Sequence, residues 1–178
     1  YNVVDVFFAG MISTSAQAGL AISFQAFFVF VTVGFGISAA MTALVGNAIG
    51  GKDKSVSRLI AMQGIGFSFF SSIILVCFAF LIGPYLLAII SNEGAYRSAG
   101  QSYFTTLLLS LPGFVMGYGL NGVLQAQGDT VSMQRALIGA FFANIVLNPL
   151  LMFGVPGLWN GMGFNGIAAA TVVSQTGV

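Results

Sequence analysis

Uncharged residues run through this chain in long blocks. Val6–Gly51, Leu59–Asn92, Ser98–Gly128 and Ala136–Val178 contain no Asp, Glu, Lys or Arg, and the charged residues all fall ahead of these blocks or between them. The blocks are continuously apolar rather than alternating, which argues against the strands of a membrane barrel. A spanning helix takes about 20 apolar residues. The first block therefore holds two spans that turn near Ser13–Gly19, and the last holds two that are broken at the Gly- and Asn-rich stretch Gly154–Gly166. The pattern predicts six helical spans, near 1–12, 17–48, 59–83, 97–124, 134–153 and 167–178.

The first and last of these are short: twelve helical residues cover about 18 Å, against a hydrocarbon core of about 30 Å. The chain also begins at Tyr1 rather than Met. Both ends are expected to cut through helices, so that the chain is a piece of a longer protein. Pro112 lies mid-span and Pro149 lies in "NIVLNPLLMFG" (Asn144–Gly154), and each is expected to kink its helix.

Composition sharpens the membrane reading. Hydrophobic residues make up 57% and charged residues 5%, with a mean hydropathy of +0.98, whereas a soluble domain carries roughly a quarter charged residues. This is an integral membrane protein by composition. The net charge of +1 points to no nucleic-acid partner, and Cys77 alone makes no internal disulfide and no multi-cysteine metal site. With no His, no paired acids and no Ser or Cys beside a base, the chain is not expected to be an enzyme, and it suggests no cofactor.

Lys and Arg in short loops set orientation. Lys52, Lys54 and Arg58 follow span two and Arg135 follows span four, on one face, while the other face has Arg97. The loops between spans two and three and between spans four and five are therefore expected to be cytoplasmic.

Polar residues inside the spans are the candidate chemistry. Asp5 is the sole acid outside the loops. If helix 1 continues upstream, its carboxylate is buried in the bilayer, where ionisable groups serve ion or proton pathways; if Tyr1 lies at the membrane surface, Asp5 is merely solvated. Asn144 and Asn148 are four apart, on one helix face about 6 Å from each other, and Pro149 leaves the carbonyl of Ile145 without its usual donor. Two amide oxygens and a free carbonyl are hard ligands that suit a small cation or a network around a carboxylate; the plainer reading is glue between helices. Thr171 either joins such a network or bonds its own helix. Tyr103 and Asn121 in span four either line a cavity as a second shell or serve as an interfacial anchor and a helix-end polar group. Gly46/Gly50 and Gly113/Gly117 have the GxxxG spacing that permits close helix contact. "GMGFNG" (Gly161–Gly166) fits GxGxxG, yet a membrane helix precedes it and no acid follows, so it reads as a loop.

In order along the chain, "VVDVFFAGMISTSAQAGLA", "VGNAIGGKDKS", "GVLQAQGDT", "NIVLNPLLMFG" and "GFNGIAAATVVSQ" resemble the end of helix 1 with the start of helix 2, the 2–3 loop, the end of helix 4, helix 5 and the entry to helix 6 of the multidrug and toxic compound extrusion (MATE) family, across essentially all of the chain. The resemblance implies an all-α membrane protein: the N-terminal six-helix lobe of a twelve-helix transporter, with the second lobe of the same polypeptide outside this chain. It implies export of cationic, amphipathic drugs across the bacterial inner membrane against an inward Na⁺ or H⁺ gradient. It places Asp5, Asn144, Asn148 and Thr171 at the coupling site, with a transient Na⁺ at Asp5, Asn144 and Asn148 and no resident metal. It also matches Tyr103 and Asn121 to polar positions of helix 4. Gln125 stands where the family usually has Arg. Two other readings stay open: a flippase or exporter of lipid-linked sugars, disfavoured by the lack of Lys or Arg inside a span, and a structural bundle that transports nothing.

Overall fold

The computed structural model describes residues 2–91, 94–155 and 159–177. The outermost residues of the first and last expected spans and part of the glycine-rich loop, residues 156–158, lie outside the described residues. The elements are α1 (Asn2–Ile12), α2 (Thr14–Gly50), α3 (Lys54–Ile90), α4 (Ala95–Leu107), a 3-10 turn (Leu108–Ser110), α5 (Leu111–Ala126), α6 (Val131–Phe153), β1 (Gly154–Val155), β2 (Trp159–Asn160) and α7 (Phe164–Thr176). The helices α4 and α5 are the two halves of one span. Among the described residues, four segments are long and apolar enough to cross a membrane: Thr14–Gly50, Lys54–Ile90, Tyr96–Ala126 and Val131–Phe153.

Element ends differ from the sequence pattern where capping outranks composition. The turn expected over Ser13–Gly19 contracts to Ser13. Its Oγ accepts from the amide of Ala16 at 3.0 Å, an N-cap that lets α2 start at once. The third span was expected to end before Pro84, but α3 runs through it to Ile90. A proline removes one donor, whereas ending a helix inside an apolar segment orphans a whole turn of carbonyls. The short antiparallel pair β1–β2, with Gly154 opposite Asn160 and Val155 opposite Trp159, was not anticipated. Beside it, the amides of Met162 and Gly163 donate to Leu151 O and Met152 O at 2.8 and 3.0 Å, satisfying the last carbonyls of α6.

The helix α2 is central, packing on α1, α3, α4 and α5. Its buried stripe runs Leu20, Ser23, Phe27, Phe30, Gly34, Ile37 and Met41, alternating steps of three and four as in a coiled-coil seam. The outer helix α3 inverts the soluble pattern. Its buried stripe includes small residues, Ser68, Ser72, Ala79 and Gly83, while Phe70, Ile74 and Leu81 are 66%, 68% and 71% exposed. That is how a helix faces lipid: small residues allow close packing inward, and apolar bulk points out.

Close helix contact occurs mostly away from the GxxxG pairs. A Cβ at Gly46 or Gly50 would meet open space, and one at Gly117 would meet nothing nearer than Met133 at 3.7 Å; Gly113 alone of these four lies tight, with Gln175 O 3.1 Å away. Tighter crossings include α2 on α5, where a Cβ on Gly122 would lie 2.5 Å from Ser38 O, and α2 on α4. A Cβ on Gly19 would lie 2.8 Å from both Gly100 N and Tyr96 O, and Ser23 Oγ reaches Gly100 O at 2.7 Å. Spacing of glycines on one helix says nothing about which helix face meets a neighbour.

Candidate functional site

The helix α1 is short and packs against α2, α6 and α7. The side-chain amide of Gln17 on α2 donates to Val6 O at 3.2 Å, which fixes α1 next to Asp5. On the far side, α6 and α7 form a hairpin. A Cβ on Gly166 would come 2.5 Å from Leu151 O, so only glycine allows α7 to lie this close to α6.

These contacts bring Asp5, Asn144, Asn148 and Thr171 together, each with no exposed surface. Asn148 Nδ2 donates to Asp5 Oδ1 at 2.9 Å and to Asn144 Oδ1 at 3.1 Å. Thr171 Oγ1 donates to Asp5 Oδ2 at 2.9 Å and accepts from Asn144 Nδ2 at 3.4 Å. Among the described residues the donors to Asp5 are thus a neutral amide and a neutral hydroxyl. Asn148 Oδ1 is buried with no hydrogen-bond partner, an uncommon state for an acceptor away from water.

Tyr103 stands beside this cluster on α4. It is fully buried, its ring lies 6.1 Å from that of Phe24 and 5.0 Å from that of Phe164, and its hydroxyl has no partner. The hydroxyl falls within the electrostatic reach of Asp5 and Thr171. Asn121 is elsewhere, which corrects the expectation that both polar residues of span four share a second shell. Eighteen residues along a helix is about 27 Å, so the two cannot serve one carboxylate. Asn121 instead lines a cavity of about 410 Å³ between α5, α6 and α7, with Phe114, Met116, Tyr118, Met133 and Gln175.

The prolines have different local settings. Pro112 is in the first turn of α5, just after the 3-10 turn Leu108–Ser110, where α-helical bonding between α4 and α5 is interrupted. Pro149 is inside α6, which stays helical to Phe153. Gln17 and Gln175 were missed from sequence. Gln17 lies in the stretch that the sequence assigned to a turn, and Gln175 follows Thr171 by four residues on one helix face, a signal that was present.

Asp53 and Asp129 act as caps. Asp53 Oδ1 accepts from Ser55 Oγ at 2.7 Å and from the amides of Ser55 and Val56. Asp129 does the same for Ser132 Oγ at 2.6 Å and the amides of Val131 and Ser132. The Ser55 hydroxyl, and then the Val56 amide, hold Asp53 below the usual carboxylate value; the Ser132 hydroxyl and then its amide do so for Asp129.

The MatE family model matches residues 1–150. The chain belongs to the MatE family. Among relatives, a probable multidrug resistance protein NorM of Thermotoga maritima is 29% identical over 176 residues, covering 98% of this chain and 38% of the relative. A crystal structure of MATE in the bent conformation superposes with a TM-score of 0.91 at 21% identity, covering 99% of this chain and 38% of that one. An inward-facing multidrug resistance MATE family transporter of the MOP superfamily gives 0.90, also at 21%, with 99% and 39% covered. The fold is that of MATE transporters, and the chain is an integral membrane protein of MATE type that spans about 38% of the length of its relatives.

Proposed function

We propose that this chain forms one six-helix lobe of a secondary active multidrug efflux antiporter in the bacterial inner membrane, and that Asp5 carries its coupling ion, Na⁺ or H⁺. The observation that supports this reading is a fully buried carboxylate held by neutral donors from two other helices. A buried charge without a countercharge is costly in a membrane and persists where function requires it. The length of the relatives beyond the matched region leaves room for a second lobe, and the MATE resemblance supplies the antiport class. The loops that carry Lys52, Lys54, Arg58 and Arg135 face the cytoplasm in this scheme.

Coupling follows from the hydrogen bonds. The ionised Asp5 accepts from Asn148 on α6 and Thr171 on α7, which ties α1 to that hairpin. A proton on Asp5 makes the carboxyl a donor, and the unpartnered Asn148 Oδ1 is an acceptor that a turn of the amide brings to it. A Na⁺ would find hard oxygens in Asp5, Asn144 and Asn148. Either ion rewrites the bonds between α1 and the hairpin and so changes the balance between outward- and inward-facing states. The gradient does work only if the ion binds those states with different affinity. Cationic, amphipathic compounds are the cargo in this reading, and the cavity beside Tyr118 and Asn121, walled by Phe and Met, suits them.

The test is efflux of a fluorescent cationic dye from proteoliposomes of the full-length protein, native against Asp5→Asn, under a Na⁺ gradient and separately under a pH gradient. Gradient-driven efflux that is lost in Asp5→Asn is expected, and the effective gradient names the ion. Efflux unaffected by Asp5→Asn overturns the role of Asp5. No efflux under either gradient overturns antiport.

A further inference from the structure

We propose that the turn between α2 and α3 is a binding site for the phosphate of an anionic phospholipid. A cavity of about 690 Å³ opens there, lined by Lys52, Lys54 and Arg58 together with Ile49, Ala61 and Gln127. Three of the five cationic residues of the chain thus border one space, and no acid lines it. Asp53 sits between the lysines, but it is turned to cap α3 through Ser55 and Val56.

The backbone carries an independent sign. At the end of α2, Lys52 N donates to Ile49 O at 2.9 Å and Asp53 N to Ala48 O at 3.3 Å, a Schellman turn with Lys52 in the left-handed position at φ 60°. That position strongly favours glycine. The same chain has a second such turn at the end of α5. There Gly128 N donates to Gln125 O at 3.0 Å and Asp129 N to Leu124 O at 2.9 Å, and the left-handed residue, at φ 82°, is Gly128. Both turns are followed by an Asp that caps the next helix. Both turns border the cavity, the second through Gln127; the second uses glycine at its left-handed position, whereas the first holds a lysine there and so brings a cation to the space. Strain retained in this way marks a functional position.

The site lies where lipid phosphates lie. Lys52–Arg58 separates the uncharged blocks Val6–Gly51 and Leu59–Asn92, so it marks the edge of the hydrocarbon. Ile49 and Ala61 form apolar walls, and Val56, Leu59 and Met62 are 41%, 55% and 63% exposed. A headgroup phosphate would meet the cations while its acyl chains run along these side chains, the arrangement by which basic pockets of membrane proteins hold anionic lipids. Arg58 supplies the forked donor geometry that phosphate accepts in pairs. A free phosphate would use the cations and leave the apolar walls empty.

Thermal unfolding of the full-length protein in mild detergent tests this. Phosphatidylglycerol, phosphatidylcholine and inorganic phosphate are titrated separately onto native protein, Lys52→Gly, Lys52→Gly/Arg58→Gln and Arg135→Gln. Lys52→Gly relieves the strained turn, so its melting temperature without lipid should be no lower than native. Phosphatidylglycerol is expected to raise the native melting temperature more than phosphatidylcholine does. That excess should shrink in Lys52→Gly, largely vanish in the double variant, and persist in Arg135→Gln, whose cation lies on α6 and does not line the cavity. An excess that survives in the double variant overturns the site, as does equal protection by phosphatidylcholine. Full protection by inorganic phosphate alone overturns the lipid as its occupant.

Discussion

Asn148 Nδ2 lies 2.9 Å from Asp5 Oδ1 across 143 positions of sequence, and the same amide bonds Asn144 Oδ1 at 3.1 Å. Asn148 therefore joins α1 to α6 and orders its own helix neighbour. Replacing it by Leu leaves one carboxylate oxygen and the Asn144 carbonyl without donors in a site that water does not reach. Loss of such buried partners costs roughly 1–3 kcal/mol. Asn148→Leu is expected to lower the melting temperature of the full-length protein and abolish gradient-driven dye efflux, while Asn144→Leu, which removes no donor to Asp5, should impair efflux less. Equal efflux in native protein and Asn148→Leu would mean that this amide is only interhelical glue.

Thr171 separates hydrogen bonding from packing. Its hydroxyl donates to Asp5 Oδ2 at 2.9 Å, and Val matches Thr in shape without that donor. A bond to a charged group is worth about 1.5–3 kcal/mol, so roughly tenfold or more in ion affinity. Because that donor stabilises the ion-free carboxylate, Thr171→Val should lower the proton concentration needed for half-maximal efflux by about that factor, and Thr171→Ser should stay near native. Matching curves for the Val and Ser variants would remove Thr171 from the coupling site.

The crossing of α2 on α4 has no room for a methyl group. Gly19→Ala would force its Cβ against Gly100 N and Tyr96 O at 2.8 Å, and overpacking of this kind costs typically about 1–3 kcal/mol. Gly46→Ala, which meets nothing, should be neutral or slightly stabilising, since Ala is better than Gly inside a helix by about 0.5–1 kcal/mol. Melting curves of the two variants check the contrast, and a destabilised Gly46→Ala with a native-like Gly19→Ala would reverse the assignment of the contact.

The loop caps predict an acid limb of stability. The Ser55 and Ser132 hydroxyls and the adjoining amides hold Asp53 and Asp129 below their ordinary value of 3.8. A carboxylate with a depressed folded value stabilises the fold above its unfolded value, and that stability is lost as pH falls through the folded value. The melting temperature should therefore decline as pH drops below about 3.8, and Asp53→Ala/Asp129→Ala should flatten that part of the curve. An unchanged acid limb in the double variant would assign it to other groups.

How much of this was legible in the sequence depends on the range of the interaction. The spans were legible because each uncharged block reports its own solvent. The pairing of Asn144 with Asn148 was legible because four residues on a helix is a local distance. Helix ends were not, because Ser13 and Pro84 act through a cap and through the cost of unpaired backbone in an apolar setting. Tyr103 and Asn121 looked equivalent as polar residues of one span, although their spacing of eighteen residues, about 27 Å of helix, already held them apart; which of them meets Asp5 took the helix packing. Of the glycine pairs only Gly113 lies tight, and tighter contacts such as those at Gly19, Gly122 and Gly166 depend on which helices meet.

By itself the sequence determined that this chain lives in a membrane as helices, where they run, and which polar residues have no business facing lipid. Those are properties of single residues and of their neighbours within a turn or two, set by the free energy of transfer from water. Only the tertiary structure decided that Asp5 meets α6 and α7, that Tyr103 joins it while Asn121 lines a separate cavity, and that three cations surround one space at Lys52. Those follow from which helices cross and how closely, and small groups such as Gly19, Gly100 and Gly166 set that through the steric fit of surfaces far apart in sequence.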